Sequence, residues 1–186
     1  MKKEKFTLKD LTLCALFAAL MAICAWISIP VLEIAFTLQT FAVFLTLGLL
    51  GGKRGTISVL VYIVLGAVGV PVFAGFRGGP GVLLGVTGGY IAGFLFSALL
   101  YWLITALMHE TPVSQLLGMI AGMLACYLFG SLWFMWVYAS KGTAMGLAAI
   151  VRKCVVPYLI PDAAKIALAY FLTRRLAAVR KKALSE

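Results

Sequence analysis

Between Asp10 and Pro30 the chain runs for 19 residues without a charge, and that run limits what the molecule can be. A helix needs about 20 apolar residues to cross the roughly 30 Å of a bilayer's hydrocarbon, where every backbone N–H and C=O must be satisfied internally. The apolar run reads as a helix over about 8–29, ended by Pro30. Further apolar segments follow over about 38–50, 56–68, 85–108, 113–138 and 161–176. With 63% hydrophobic residues, against the roughly 45–50% usual in soluble domains, the chain is expected to be an integral membrane protein. The expected fold class is all-α: a six-helix transmembrane bundle forming one membrane-embedded domain over residues 1–186. Its second and third helices are short, about 13 residues each, and short helices are tolerated where their ends line a cavity. A basic start precedes the first run, but no small-x-small cleavage site ends it, so it reads as a span and not a leader.

The net charge of +10 raises the question of a nucleic-acid partner, and its distribution answers it. Eleven of the sixteen basic residues fall in three clusters beside apolar segments: Lys2, Lys3, Lys5 and Lys9; Lys53 and Arg54; Arg174, Arg175, Arg180, Lys181 and Lys182. That is the mark of cytoplasmic loops, and it is expected to place both termini on the cytoplasmic side of a bacterial cell membrane. A nucleic-acid surface needs a continuous basic face with stacking aromatics, which the pattern lacks. Gly51-Gly52-Lys53-Arg54-Gly55 is not a phosphate loop, since no Ser or Thr follows Lys53; it reads as a tight cytoplasmic turn. Cys14, Cys24, Cys126 and Cys154 sit in apolar surroundings as packing residues, and a lone His109 excludes a histidine metal site. No metal and no cofactor is expected.

At 100° per residue Ala15, Ala18, Ala19, Ala22 and Ala25 share an arc of about 120°. Ala15/Ala19 and Ala18/Ala22 are small-xxx-small pairs that admit another backbone, either within the bundle or on a second membrane protein. Gly85/Gly89/Gly93, Gly118/Gly122 and Ala121/Ala125 read as internal packing ridges. Tyr127, Trp133, Trp136 and Tyr138 form either an interfacial belt or a pocket wall, with the belt as the default. Residues 144–155, carrying Arg152 and Lys153, are expected as a short amphipathic helix near the outer surface.

The last apolar segment opens Val156-Pro157-Tyr158-Leu159-Ile160-Pro161-Asp162-Ala163-Ala164-Lys165. Asp162 and Lys165 are three apart, hence on one helical face. A charge at the bilayer centre costs roughly 2.5–3.5 kcal/mol on insertion scales, and such groups face cavities or pathways. Pro161 suits a first helical turn, and Asp162 is placed to accept from the free N–H groups there. With the N-terminus inside, six spans bring the pair to the outer level. There it joins Gln39, flanked by Thr37 and Thr40, and the glycine-rich loop 69–81 around Arg77. The loop is expected to fold over a site. A rival reading makes Asp162 and Lys165 the acid and base of an intramembrane enzyme, but no nucleophile–histidine pair, paired carboxylate or metal cluster accompanies them.

Four segments together, FTLQTF (36–41), GVPVFAGF (69–76), TGGY (87–90) and P-Y-L-x-P-D-x-x-K (157–165), resemble the BioY family, the biotin-specific substrate-binding subunits of energy-coupling-factor transporters. The resemblance spans the first helix to the last. It implies a non-enzymatic, six-helix biotin-binding subunit with an outward pocket. Partners would be a transmembrane coupling subunit docked on Ala15, Ala18, Ala19 and Ala22, and two ATPase subunits that supply the energy. Another small vitamin in the same architecture is the alternative. Asp162 and Lys165 would bind substrate, with Gln39 and the loop around Gly75 closing the site. Phe36, Phe73, Phe76, Tyr90 and Tyr158 are available for ring faces, and Lys165, Arg77 or Arg152 for the carboxylate. Val86 stands where the family commonly has proline. The chain contains no asparagine, which some members carry in the glycine-rich loop.

Overall fold

Thr7 opens the first helix. In the computed structural model, which describes residues 7–30, 34–143 and 145–177, the Thr7 hydroxyl accepts from the Asp10 N–H at 3.3 Å. The Asp10 carboxylate in turn accepts from the Thr7 N–H at 2.9 Å, so two of the orphan donors at the helix start are satisfied reciprocally. The helix, α1, runs Leu8–Trp26. It stops short of the expected Ile29. Ser28–Ile29 (β1) instead pairs antiparallel with Phe36–Thr37 (β2), and a residue preceding proline is biased to extended backbone. Glu33, like Lys2, Lys3, Lys5, Arg180, Lys181 and Lys182, lies outside the described residues.

The next helical stretch, α2, is Gln39–Ala67, and it is not straight. Gly51 has φ 78° and ψ 175°, a conformation open essentially to glycine alone. Gln39 Nε2 donates to the Tyr62 hydroxyl at 2.7 Å. In a continuous helix those residues would stand about 34 Å apart. The chain therefore reverses at Gly51, and the two halves run antiparallel. The expected five-residue turn over 51–55 shrinks to one residue, because Gly52–Gly55 are already helical. The half before Gly51 is buried almost all round, from Ala42 through Gly48. It is the central post of the bundle, as expected of a helix with no polar face.

A short helix α3 (Pro80–Leu83) closes the glycine-rich loop, with Pro80 at its first position. α4 is Gly88–Leu107 and α5 is Pro112–Ser140, starting two residues after Glu110 with Thr111 as its cap. Gly89 and Gly93 of α4 face Trp133 and Cys126 of α5, and Gly118 of α5 faces Tyr101. Gly85 lies outside α4; its carbonyl accepts from Trp133 Nε1 at 3.0 Å. The amphipathic segment is α6, Leu147–Cys154, with Arg152 and Lys153 exposed. A 3-10 turn, Val156–Tyr158, leads into α7, Leu159–Arg175. Among the described residues the regular structure is thus helical apart from two short strands. Among the described residues five helical stretches are long and apolar enough to cross a membrane: Leu8–Trp26, Gln39–Ala67, Gly88–Leu107, Pro112–Ser140 and Leu147–Arg175.

The alanine face of α1 divides. Ala18 and Ala22 are 2% and 4% exposed, and Ala25 is fully covered, whereas Ala15 and Ala19 are exposed beside Leu11, Leu16 and Ile23. The expectation that Ala18 and Ala22 form a docking surface is corrected: one edge of the arc turns inward. α2 is fastened there, with Ser58 Oγ donating to the Cys14 carbonyl at 2.8 Å and Arg54 Nε paired with Asp10 at 2.6 Å.

Candidate functional site

Asp162 and Lys165 share a face of α7 because they are three residues apart, and that face points inward. The two residues are 5% and 7% exposed, and Lys165 Nζ donates to Asp162 Oδ1 at 2.8 Å. Taking two charges out of water is costly, and the geometry answers it with further donors. Thr40 Oγ1 donates to Oδ1 at 3.1 Å, and the Tyr127 hydroxyl donates to Oδ2 at 2.7 Å. The ammonium also lies 4.0 Å from the centre of the Phe36 ring, on its face. Among the described residues Asp162 makes no capping bond to the helix start, contrary to the expectation from Pro161; it accepts from side chains of α2, α5 and α7.

The pair forms one wall of a pocket of about 770 Å³, mouth included. Gln39 and Thr40 reach it from α2, and Phe73, Ala74 and Arg77 from the glycine-rich loop. Tyr90, Ile91 and Phe94 line it from α4, and Met123, Cys126 and Tyr127 from α5. Tyr158 completes the wall, its hydroxyl donating to the Ile34 carbonyl. Most of the lining is apolar, with a few convergent polar groups, the pattern of a small-molecule site.

Seven of the expected site residues therefore meet in one cavity: Gln39, Phe73, Arg77, Tyr90, Tyr158, Asp162 and Lys165. Phe36 stands behind Lys165 and not on the cavity wall. Gly75 and Phe76 do not line it either. Both have positive φ, 69° and 56°, and the turn they make throws the Phe76 ring outward, 63% exposed, onto Trp26 at 4.9 Å. Trp26 Nε1 donates to the Pro71 carbonyl at 2.8 Å, so α1 holds the loop down from outside. Arg152 is exposed on α6 and absent from the lining. Of the two readings open for Tyr127, the default interfacial belt gives way to the pocket wall, where its hydroxyl bonds the central carboxylate. Thr40, which flanks Gln39 in the sequence, bonds the same carboxylate.

The sequence profile of the BioY family matches residues 1–182. The chain belongs to the BioY family. The biotin transporter BioY of Thermotoga maritima is 37% identical over 169 residues, covering 91% of this chain and 96% of the relative. The probable biotin transporter BioY of Pyrococcus horikoshii is 38% identical over 168 residues, covering 90% and 96%. In three dimensions the chain is similar to the crystal structure of the S-component for biotin from an ECF-type ABC transporter. There the TM-score is 0.77 at 26% identity, with 91% of each chain covered. These BioY relatives are transporters and not enzymes, so the acid–base reading of Asp162 and Lys165 falls away.

Proposed function

We propose that this chain is the biotin-binding subunit of an energy-coupling-factor importer in the cell membrane and performs no covalent chemistry. The observation that carries the reading is the buried Asp162–Lys165 pair opening onto an otherwise apolar pocket. Biotin offers a matching set of groups: a ureido ring with two N–H donors and a carbonyl, an apolar bicycle and a carboxylate tail. Asp162 accepts from a ureido N–H, and Gln39, whose amide N–H is taken by Tyr62, lines the pocket with a carbonyl that can accept the other. Phe73, Tyr90 and Tyr158 take the ring faces. Lys165 is neutralised by Asp162, so the charge left over among the described lining residues is Arg77 on the exposed loop. We assign the carboxylate to Arg77 at the mouth and the ureido ring to the buried end.

The reversal at Gly51 supports a count of six spans, with both halves of α2 crossing, and the positive clusters support inward termini. The exposed stripe of Ala15 and Ala19 on α1 is the face for the transmembrane coupling subunit, through which two ATPase subunits drive transport.

Purified protein in lipid nanodiscs, titrated with biotin and with competing vitamins, tests the reading. Saturable binding of biotin that thiamine, riboflavin and folate fail to displace is expected. Displacement of biotin by another vitamin, or no biotin binding at all, reassigns the substrate. Because Trp26 fastens the loop through a stacked ring and one hydrogen bond, Trp26→Ala is expected to speed biotin release roughly tenfold while leaving the buried contacts intact. Dissociation measured after a chase with unlabelled biotin checks this, and an unchanged off-rate removes the loop from the account of retention.

A further inference from the structure

A carboxylate has about four acceptor directions, two on each oxygen. On Asp162, Oδ1 takes two donors, Lys165 Nζ at 2.8 Å and Thr40 Oγ1 at 3.1 Å. Oδ2 takes one, the Tyr127 hydroxyl at 2.7 Å. One direction on Oδ2 is left for a ligand. Thr40, Tyr127 and Asp162 all line the same pocket, so the carboxylate and its two hydroxyl donors belong to the binding wall.

Tyr127 also stands on a boundary. On its other side an apolar groove runs between α5 and α7, walled by Ile120, Leu124, Leu159 and Ile166, and Tyr127, Met123 and Asp162 line both the groove and the pocket. Ile120, Leu124 and Leu159 are exposed on the outside of the bundle, facing the hydrocarbon of a spanning protein. Without the phenol, Oδ2 would lose its fixed donor on the side where no water is available to replace it.

We propose that Tyr127 and Thr40 are positioning residues for biotin: they clamp the Asp162 carboxylate so that a single acceptor direction on Oδ2 receives one ureido N–H. The clamp makes recognition of that N–H depend on two hydroxyls on different helices, α2 and α5. This rests on the biotin reading above and adds the specificity device within it.

The test compares biotin with its two cyclic-carbamate analogues, in each of which one ureido N–H is replaced by a ring oxygen of the same size. Each ligand is titrated into wild type, Tyr127→Phe, Thr40→Val and Thr40→Ser in nanodiscs, with the thermal midpoint of the empty protein recorded alongside. Tyr127→Phe is expected to weaken biotin roughly 10- to 100-fold, the worth of a hydrogen bond to a charged group, while changing one carbamate analogue less than about threefold. Thr40→Val should show the same selective loss, and Thr40→Ser, which keeps the hydroxyl, should restore biotin affinity. Should Tyr127→Phe not yield folded protein, the Thr40 pair decides alone. Equal losses for biotin and both analogues would mean that the hydroxyls only support the fold, and unchanged biotin affinity would mean that they do not act on the site; either overturns the proposal. Wild-type protein that fails to bind biotin overturns the functional reading, and this inference with it.

Discussion

Lys165→Met is expected to lower the unfolding free energy of the empty protein by about 3–5 kcal/mol, and Asp162→Asn on top of it to return most of that loss without returning biotin binding. The reason is the asymmetry of a buried pair. Both partners are nearly sealed from solvent, and the ammonium is the only charged donor among the three that the carboxylate has in the structure. Removing the ammonium alone strands a carboxylate with two neutral donors in an apolar wall. Removing both charges leaves an amide whose oxygen can accept from Tyr127 and whose NH2 can donate to the Thr40 hydroxyl, and a methionine of similar reach packing on Phe36. Binding follows a different logic, because neither variant retains the anionic acceptor and its cation together. Biotin affinity should fall roughly 30- to 1000-fold in the single variant and remain low in the double. Denaturant unfolding of the empty proteins gives the first comparison and biotin titration the second. A double variant no more stable than Lys165→Met would show that the pair does not act as compensating charges, and undiminished biotin binding would remove it from the site.

How much of this was legible beforehand depends on the range over which each signal acts. The pair itself could be read because its meaning is local: two charges three apart in an apolar helix must face inward together. The helices of the bundle could be read for the same reason, from run length and from the proline and glycine at their borders. α6 emerged close to its expected bounds because its polar and apolar residues alternate at helical spacing. What the chain order did not reveal are contacts set by tertiary direction. Tyr127 sits among aromatic residues that suit either a membrane interface or a pocket, and only the rotation of α5 against α7 decides between them. The family resemblance offers Phe76 for a ring face of the ligand. The positive backbone angles at Gly75 and Phe76 turn its ring out to Trp26, and no residue type announces a positive φ at a phenylalanine. Ala18 and Ala22 fall on the same side of α1 as Ala15 and Ala19, and arc geometry cannot say where the edge of the bundle cuts that side. The Asp10–Arg54 pair is hidden in the sequence because its members are 44 positions apart and each reads alone as a charge flanking a span.

Gly51→Ala is expected to damage the fold and the site together. At φ 78° and ψ 175° an alanine bears about 1–3 kcal/mol of backbone strain. The strain can be relieved only by returning to helical angles, which would straighten α2. A straight α2 carries Gln39 away from Tyr62 by tens of ångströms, so the bond between them at the pocket end would be lost along with the packing of the central post on α7. The site is therefore coupled to a residue at the opposite end of the hairpin, since Gln39 and Thr40 reach the pocket only because the chain turns back at Gly51. Gly146→Ala is the matched control: it makes the same chemical change at φ −66°, on an exposed residue with open space where the new methyl would stand. Thermal midpoints and biotin titrations of the two variants, prepared in parallel, are expected to separate sharply. Gly146→Ala should stay near wild type, while Gly51→Ala should unfold at lower temperature and lose biotin affinity in step with the fraction that fails to fold. Equal behaviour of the two would mean that the reversal tolerates an ordinary residue, and the positive φ at Gly51 would no longer account for how Gln39 and Thr40 are brought to Asp162.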